Sequence, residues 1–309
     1  MDDKISAVVG KLQQRLGDDY EVRIVDVTKN NDTVKKGISV RKNGEKIGRI
    51  YYWNGEALEA FLGDVESSPL PDIDFEMSLK KQKDNIVAML INAEANKERL
   101  KDMPHRMVEG LDLVIVYKII FKKDSEGITS SDINNGMMAM LRVTEDELYT
   151  IAMKNTKECY APDIKSMTET LNDMMKESQD IVEDIPETLF ILSNETRQFG
   201  AICMLYPEVL KKFCVEKMID GVFVIPSSIH EVLLMIADKN KVDVGYIRQM
   251  IKEVNYENVS EVERLSDSPY YYDVATDTLR IAEWKCKTML TEQEVICIHS
   301  KVKRNWRIS

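Results

Sequence analysis

Neither glycine-rich phosphate loop, G-x-G-x-x-G or G-x-x-x-x-G-K-[ST], occurs in the 309 residues. Gly44 and Gly48 are close in sequence but sit in a hairpin pattern rather than between a strand and a helix, so no nucleotide cofactor is expected. Glycine (13) and proline (8) are both sparse, which excludes a low-complexity or disordered chain. The five cysteines, Cys159, Cys203, Cys214, Cys286 and Cys297, are odd in number and widely spaced. A disulfide scaffold would be denser and even-numbered, so reduced thiols in a cytoplasm are expected. No two of them lie two to four residues apart, so there is no metal knuckle and the expected metal count is none. Long apolar runs are missing as well. The strongest, Leu113 to Tyr117, is cut by Lys118, far short of the roughly 20 residues of a membrane span. The opening Met1-Asp2-Asp3-Lys4 has neither the basic flank nor the apolar run of a signal peptide. A cytoplasmic location with no membrane partner follows as the expectation. Positive charge is in deficit, 53 acidic against 42 basic side chains, for a net charge of -11. An acidic chain repels phosphate backbones, which disfavours nucleic acid as a partner.

What is present is a chain rich enough in apolar residues (44%) to fold around a sizeable core. Ile5, Val8, Val9, Leu12 and Leu16 recur at helical spacing, with Gly17 as the C-terminal cap. Val22, Ile24 and Val27 then alternate with charged residues as in a half-buried strand, and Val34 to Val40 reads as a second. Asn43-Gly44 is a hairpin signal, and Ile47 to Trp53 returns as a third strand. Ser67, Ser68, Pro69 and Pro71 form a linker. Beyond it Phe75, Leu79, Ile86, Met89, Leu90 and Leu100 suggest a long helix ending near Pro104. Leu111 to Phe121 reads as a strand covered on both faces. Thr144 with Glu147 is a capping box opening a helix. Leu189 to Leu192 reads as a strand with Phe199 to Leu205 as its partner, followed by a helix from Pro207 to about Met218. Val222 to Ile225 is a strand, Val244 to Val254 a helix, and Tyr270 to Tyr272 with Thr278 to Ile281 a closing hairpin. The hairpins break strict alternation, so the expected class is α+β, a mixed, largely antiparallel sheet with flanking helices. The expected organisation is one domain over residues 1–282, with a junction near 64–74 between two lobes, and a basic extension over 283–309.

The most suggestive stretch is Pro226-Ser227-Ser228-Ile229-His230-Glu231. Nucleophilic catalysis needs a hydroxyl beside a base that a third group orients, and Ser227, Ser228, His230 and Glu231 supply those types after a strand. The structural reading is favoured over it: Ser228 with Glu231 has the spacing of a capping box. A metalloprotease H-E-x-x-H would need histidine where Leu234 stands. Pro104-His105-Arg106 followed by Asp112 could bind an anionic ligand. The plainer reading is a surface pair of Arg106 with Asp112 and a helix-end His105. Asn92 and Asn96 fall one turn apart on the expected helix and could hold a ligand or bridge to a strand. Met137, Met138 and Met140 are read as core packing first and as a plastic partner-binding surface second. The tail carries Lys285, Lys287, Lys301, Lys303, Arg304 and Arg307 with Trp284 and Trp306, a pattern that can contact nucleic acid but is more often a solvated appendage.

Several segments together resemble a known family: Gly37-Ile38-Ser39-Val40, Asn92-Ala93-Glu94-Ala95-Asn96, Pro104-His105-Arg106 with Asp112-Leu113, Glu147-Leu148 leading to Asn155-Thr156, Pro226 to Val232, and Leu265-Ser266-Asp267 with Tyr270 to Asp273. The family, number 5688 among the domains of unknown function, is found in clostridial gut bacteria. The likeness runs from about Ile5 to Ala282 and implies that both candidate clusters share one domain; it brings no catalytic role with it. The expected function is therefore a cytoplasmic, non-enzymatic binding or regulatory protein of a gut bacterium, acting on a protein or small-molecule partner without a cofactor. A hydrolase-like enzyme using His230, and weak nucleic-acid binding through the tail, stand as alternatives.

Overall fold

The computed structural model describes residues 2–44, 48–52, 60, 79–124, 127–170 and 188–283. The chain divides into two compact units, Met1–Met77 and Ser78–Ser309.

In the first unit, helix α1 (Asp2–Leu16) is followed by β1 (Tyr20–Thr28), β2 (Val34–Lys42) and β3 (Arg49–Tyr52), an antiparallel sheet in that order. Gly17 ends the helix at φ +72°, a conformation that side chains strain to adopt. Ile5, Val8 and Leu12 from one face of α1 close on Val22, Ile38, Val40 and Tyr51. Of the alternating residues expected for β1 only Val22 joins this core, while Ile24 is 39% exposed. The expected linker at Ser67 to Pro71, and Ile47 and Trp53 of the third strand, lie outside the described residues.

The second unit holds two sheets. The larger has the order β13-β12-β10-β11-β9-β8, built from β8 (Pro162–Ser166), β9 (Leu189–Asn194), β10 (Gly221–Pro226), β11 (Val232–Met235), β12 (Tyr270–Asp273) and β13 (Thr278–Ile281). The smaller runs β4-β6-β5, with β7 also on β6: β4 (Ile86–Asn92), β5 (His105–Met107), β6 (Leu113–Asp124) and β7 (Gly127–Asp132). Every pairing in them is antiparallel. The class is α+β, as the interleaved helices and hairpins indicate.

Strands β4, β9, β10 and β11 are buried along nearly their whole length, as their unbroken apolar runs require. Helix α2 (Asn135–Leu141) precedes α3 (Glu145–Cys159), which packs on β4. Helix α4 (Val209–Glu216) sets Phe213 edge-on to Phe190 at 5.0 Å. Helix α5 (Val244–Asn258) lays Val244, Ile247, Met250, Ile251 and Val254 on the face formed by Leu189, Ile191, Phe223, Ile225, Leu233 and Met235. Each such buried side chain contributes roughly 1.5–3 kcal/mol. Between the sheets runs a 3-10 segment, Gly200–Leu205, touching β9 and β11 as well as β4.

Four expectations change. The helix expected through Ile86 to Leu100 is instead β4, followed by turns. Ile86 to Ile91 are six consecutive buried apolar residues, and such a run fits a doubly covered strand better than an amphipathic helix. Phe75, at the start of that helix, lies outside the described residues. Phe199 to Leu205 is the 3-10 segment rather than a strand; a short apolar run carries no periodicity to separate the two. Glu231 leads directly into the strand β11, so Ser228 caps no helix. The methionines of α2 are not core: Met137 and Met138 are half-buried and Met140 is 47% exposed, while Leu141 is the buried residue. The Thr144–Glu147 capping box is present in full.

Candidate functional site

Three loops meet at the end of the larger sheet where β9 and β10 finish and β11 begins. The first, residues 194–199, is wound by Asn194, whose Oδ1 accepts from Thr196 N at 3.1 Å and whose Nδ2 donates to Gln198 O at 2.8 Å. It leaves Phe199 at φ 55°, a left-handed conformation that costs an aromatic residue strain. The second, residues 227–231, joins β10 to β11. The third is residues 263–265. Ser193 Oγ donates to His230 O at 2.8 Å, Ala201 N to Ile229 O at 3.3 Å, Ile229 N to Glu263 O at 2.8 Å and Leu265 N to Ser227 O at 3.3 Å. These bonds stitch the three loops together.

His230 lies at their junction, with 26% of its side chain exposed. Its Nδ1 accepts from the Phe199 amide at 3.2 Å, which fixes the neutral tautomer with the proton on Nε2. Nε2 lies 3.8 Å from Glu263 Oε1. The ring stacks on Phe199 with centroids 5.7 Å apart. Burial lowers the imidazole below its ordinary value, against the pull of Glu263. Of the hydroxyls, Ser228 Oγ accepts from the His230 amide at 3.1 Å, and Ser227 Oγ is buried with no hydrogen-bond partner among the described residues. Neither serves the imidazole. Burial raises the Glu231 carboxyl, opposed by Arg197.

The smaller sheet brings charge to the same place. Lys118 on β6 puts its ammonium 5.5 Å from the Phe199 ring centroid and 2.6 Å from Asp132 Oδ1. Arg99 bonds Oδ2 of the same carboxylate and reaches Asn96 Oδ1 at 3.5 Å. Burial pushes the Asp132 carboxyl up, but the two cations outweigh it and hold it at about 2.

The second sequence cluster comes apart. Arg106 pairs with Glu145 Oε2 at 2.6 Å and with Asp146, and stacks over Tyr149 at 4.0 Å. The buried Tyr117 hydroxyl donates to the same Glu145. The expected Arg106–Asp112 pair is replaced, because Asp112 takes Tyr270 OH at 2.6 Å and Ser266 Oγ at 2.7 Å. His105 is on β5 rather than at a helix end, its Nδ1 2.8 Å from Met103 O. Asn92 and Asn96 share a turn: Asn92 Oδ1 accepts from Ala95 N at 3.0 Å and Asn96 Nδ2 donates to Asn92 O at 2.8 Å. Asn155 Nδ2 donates to Ile86 O at 2.9 Å, and Thr156 Oγ1 accepts from Ala88 N at 2.8 Å; both satisfy backbone of β4, an edge strand of its sheet.

The family model described as "Family of unknown function (DUF5688)" matches residues 3–274. The chain belongs to this family. The match crosses both compact units and takes in all three stitched loops. Among curated proteins and among solved structures nothing matches. No described helix is long and apolar enough to cross a membrane, and no group of three His, Cys, Asp or Glu among the described residues could hold a metal ion. The tail beyond Glu283 lies outside the described residues.

Phe199, Arg99, Asp132 and Glu263 went unmarked in the sequence. Lys118 carried a signal: a single charge inside an apolar strand needs a partner where the strand is covered.

Proposed function

We propose that this DUF5688 protein is a non-catalytic, cytoplasmic bacterial binding protein whose ligand sits on the stitched loops around Phe199 and His230. The hydrogen bond from the Phe199 amide to His230 Nδ1 carries the reading. A general base keeps a basic nitrogen open toward the proton it removes. Here that nitrogen is committed to backbone, and Nε2 is left as a donor. What the loops offer instead is a half-buried aromatic stack flanked by an ammonium, a fixed surface suited to recognition. Strain at Phe199, held by the surrounding bonds, agrees with a preorganised site. A reducing cytoplasm agrees with the free thiols: burial pushes Cys203 to about 12 and Cys214 to about 11, which leaves both unreactive.

A thermal-shift screen over small acids, nucleosides, sugars and peptides, run on wild type and on His230→Ala, tests this. Ligands of the native state raise the melting temperature. The expected result is a ligand that shifts wild type, fails to shift the variant and is recovered chemically unchanged. A ligand consumed by wild type but not by His230→Ala would overturn the reading.

A further inference from the structure

We infer that the ligand is an anion whose phosphate or carboxylate group is received by Lys118; this rests on the binding role of the Phe199–His230 loops. Lys118 is only 12% exposed on its side chain, and the strand residues on either side, Tyr117 and Ile119, are fully buried. Its ammonium offers three donors. Among the described residues one of them is used, on Asp132 Oδ1. That carboxylate is not its own, because Oδ2 is bound to Arg99. A nearly dry ammonium with open donors and a shared counterion calls for a further acceptor.

The surroundings say what kind of molecule would supply it. The Phe199 ring lies under the ammonium at 5.5 Å and stacks with the imidazole at 5.7 Å, so both donors are grouped about one aromatic ring. His230 Nε2 is a donor, and at 3.8 Å from Glu263 Oε1 it is too far for a hydrogen bond to be formed there. An anion with its acid group on Lys118 and a second acceptor toward Nε2 fits both open donors. Glu263, 45% exposed, is the opposing charge; removing it should tighten binding.

Inorganic phosphate and acetate, titrated at constant ionic strength against chloride, are the probes, read by imidazole NMR of the full-length protein. With three histidines in the chain, His230 is assigned by substituting the other two. The expected result is a saturable shift of His230 and not of His105, weakened at least tenfold in Lys118→Met and unchanged in Lys212→Met on the exposed face of α4. Tighter phosphate would assign a phosphoryl ligand, tighter acetate a carboxylate. Should Lys118→Met fail to fold, Glu263→Gln serves in its place, and a gain in affinity is expected. Absence of a saturable His230 shift, equal affinity in Lys118→Met, or no change in Glu263→Gln overturns the assignment. Neutral ligands that bind through Phe199 while anions do not would defeat the anion and leave the binding role standing; no ligand of any kind would defeat both.

Discussion

Gly200 follows the strained Phe199, and a Cβ built on it would lie 2.8 Å from Asn194 N, 2.5 Å from His230 O and closer still to Ser193 Oγ. Two of these atoms are backbone, so relief requires the loops to part. Gly200→Ala should cost about 1–3 kcal/mol, the usual range for overpacking, read as a lower urea midpoint with unchanged slope. His230 acts through its neutral form, since Nδ1 must stay free of a proton to accept the Phe199 amide. Its folded value is depressed by burial below the ordinary 6.5 or so, so its contribution is complete above that pH and is lost as pH falls through the folded value. In His230→Gln this loss between neutrality and mild acid should disappear from the stability profile. Asp132 has the same sign at lower pH: stability is present above about 4 and lost toward about 2. Asp132→Asn should flatten the acid limb in that window. None of these roles is written in residue type alone. A left-handed Phe199 and a carboxylate shared between β6 and the turn after β4 exist only once distant segments have met.

At the scale of elements, legibility tracked periodicity. α1, α3 and α5 have one buried face each, so their apolar spacing shows, and Thr144 with Glu147 marks the start of α3. β1 carries an apolar alternation that its burial follows only at Val22, since Ile24 is 39% exposed. The misread segments are those buried all round: β4, where every residue from Ile86 to Ile91 is hidden, and Gly200–Leu205 between the sheets. A uniform apolar run says buried without saying strand or helix. The motif at Ser228–Glu231 failed for a related reason, because its spacing is shared by caps and by tight loops and only the adjoining β11 decides. Asn155 and Thr156, by contrast, tie one element to another. Asn155→Ala strips the bonds to Lys83 O and Ile86 O and should cost about 1–3 kcal/mol, with faster hydrogen exchange confined to the start of β4.

For the whole molecule, the second unit places its candidate cluster where loops at one end of the larger sheet meet Lys118 of the smaller sheet. Charges from the smaller sheet and an imidazole from the larger one then face a single aromatic ring. The convergence of Lys118 with His230 on one ring needed the fold, because 112 positions separate them. The measurement that bears most directly on the account is equilibrium binding of a screened ligand to wild type and Phe199→Ala, with the ligand examined by mass spectrometry afterwards. Saturable binding to wild type, loss of at least tenfold in affinity in the variant and an intact ligand are predicted. A ligand chemically altered by wild type, or one bound equally well without the Phe199 ring, would contradict it.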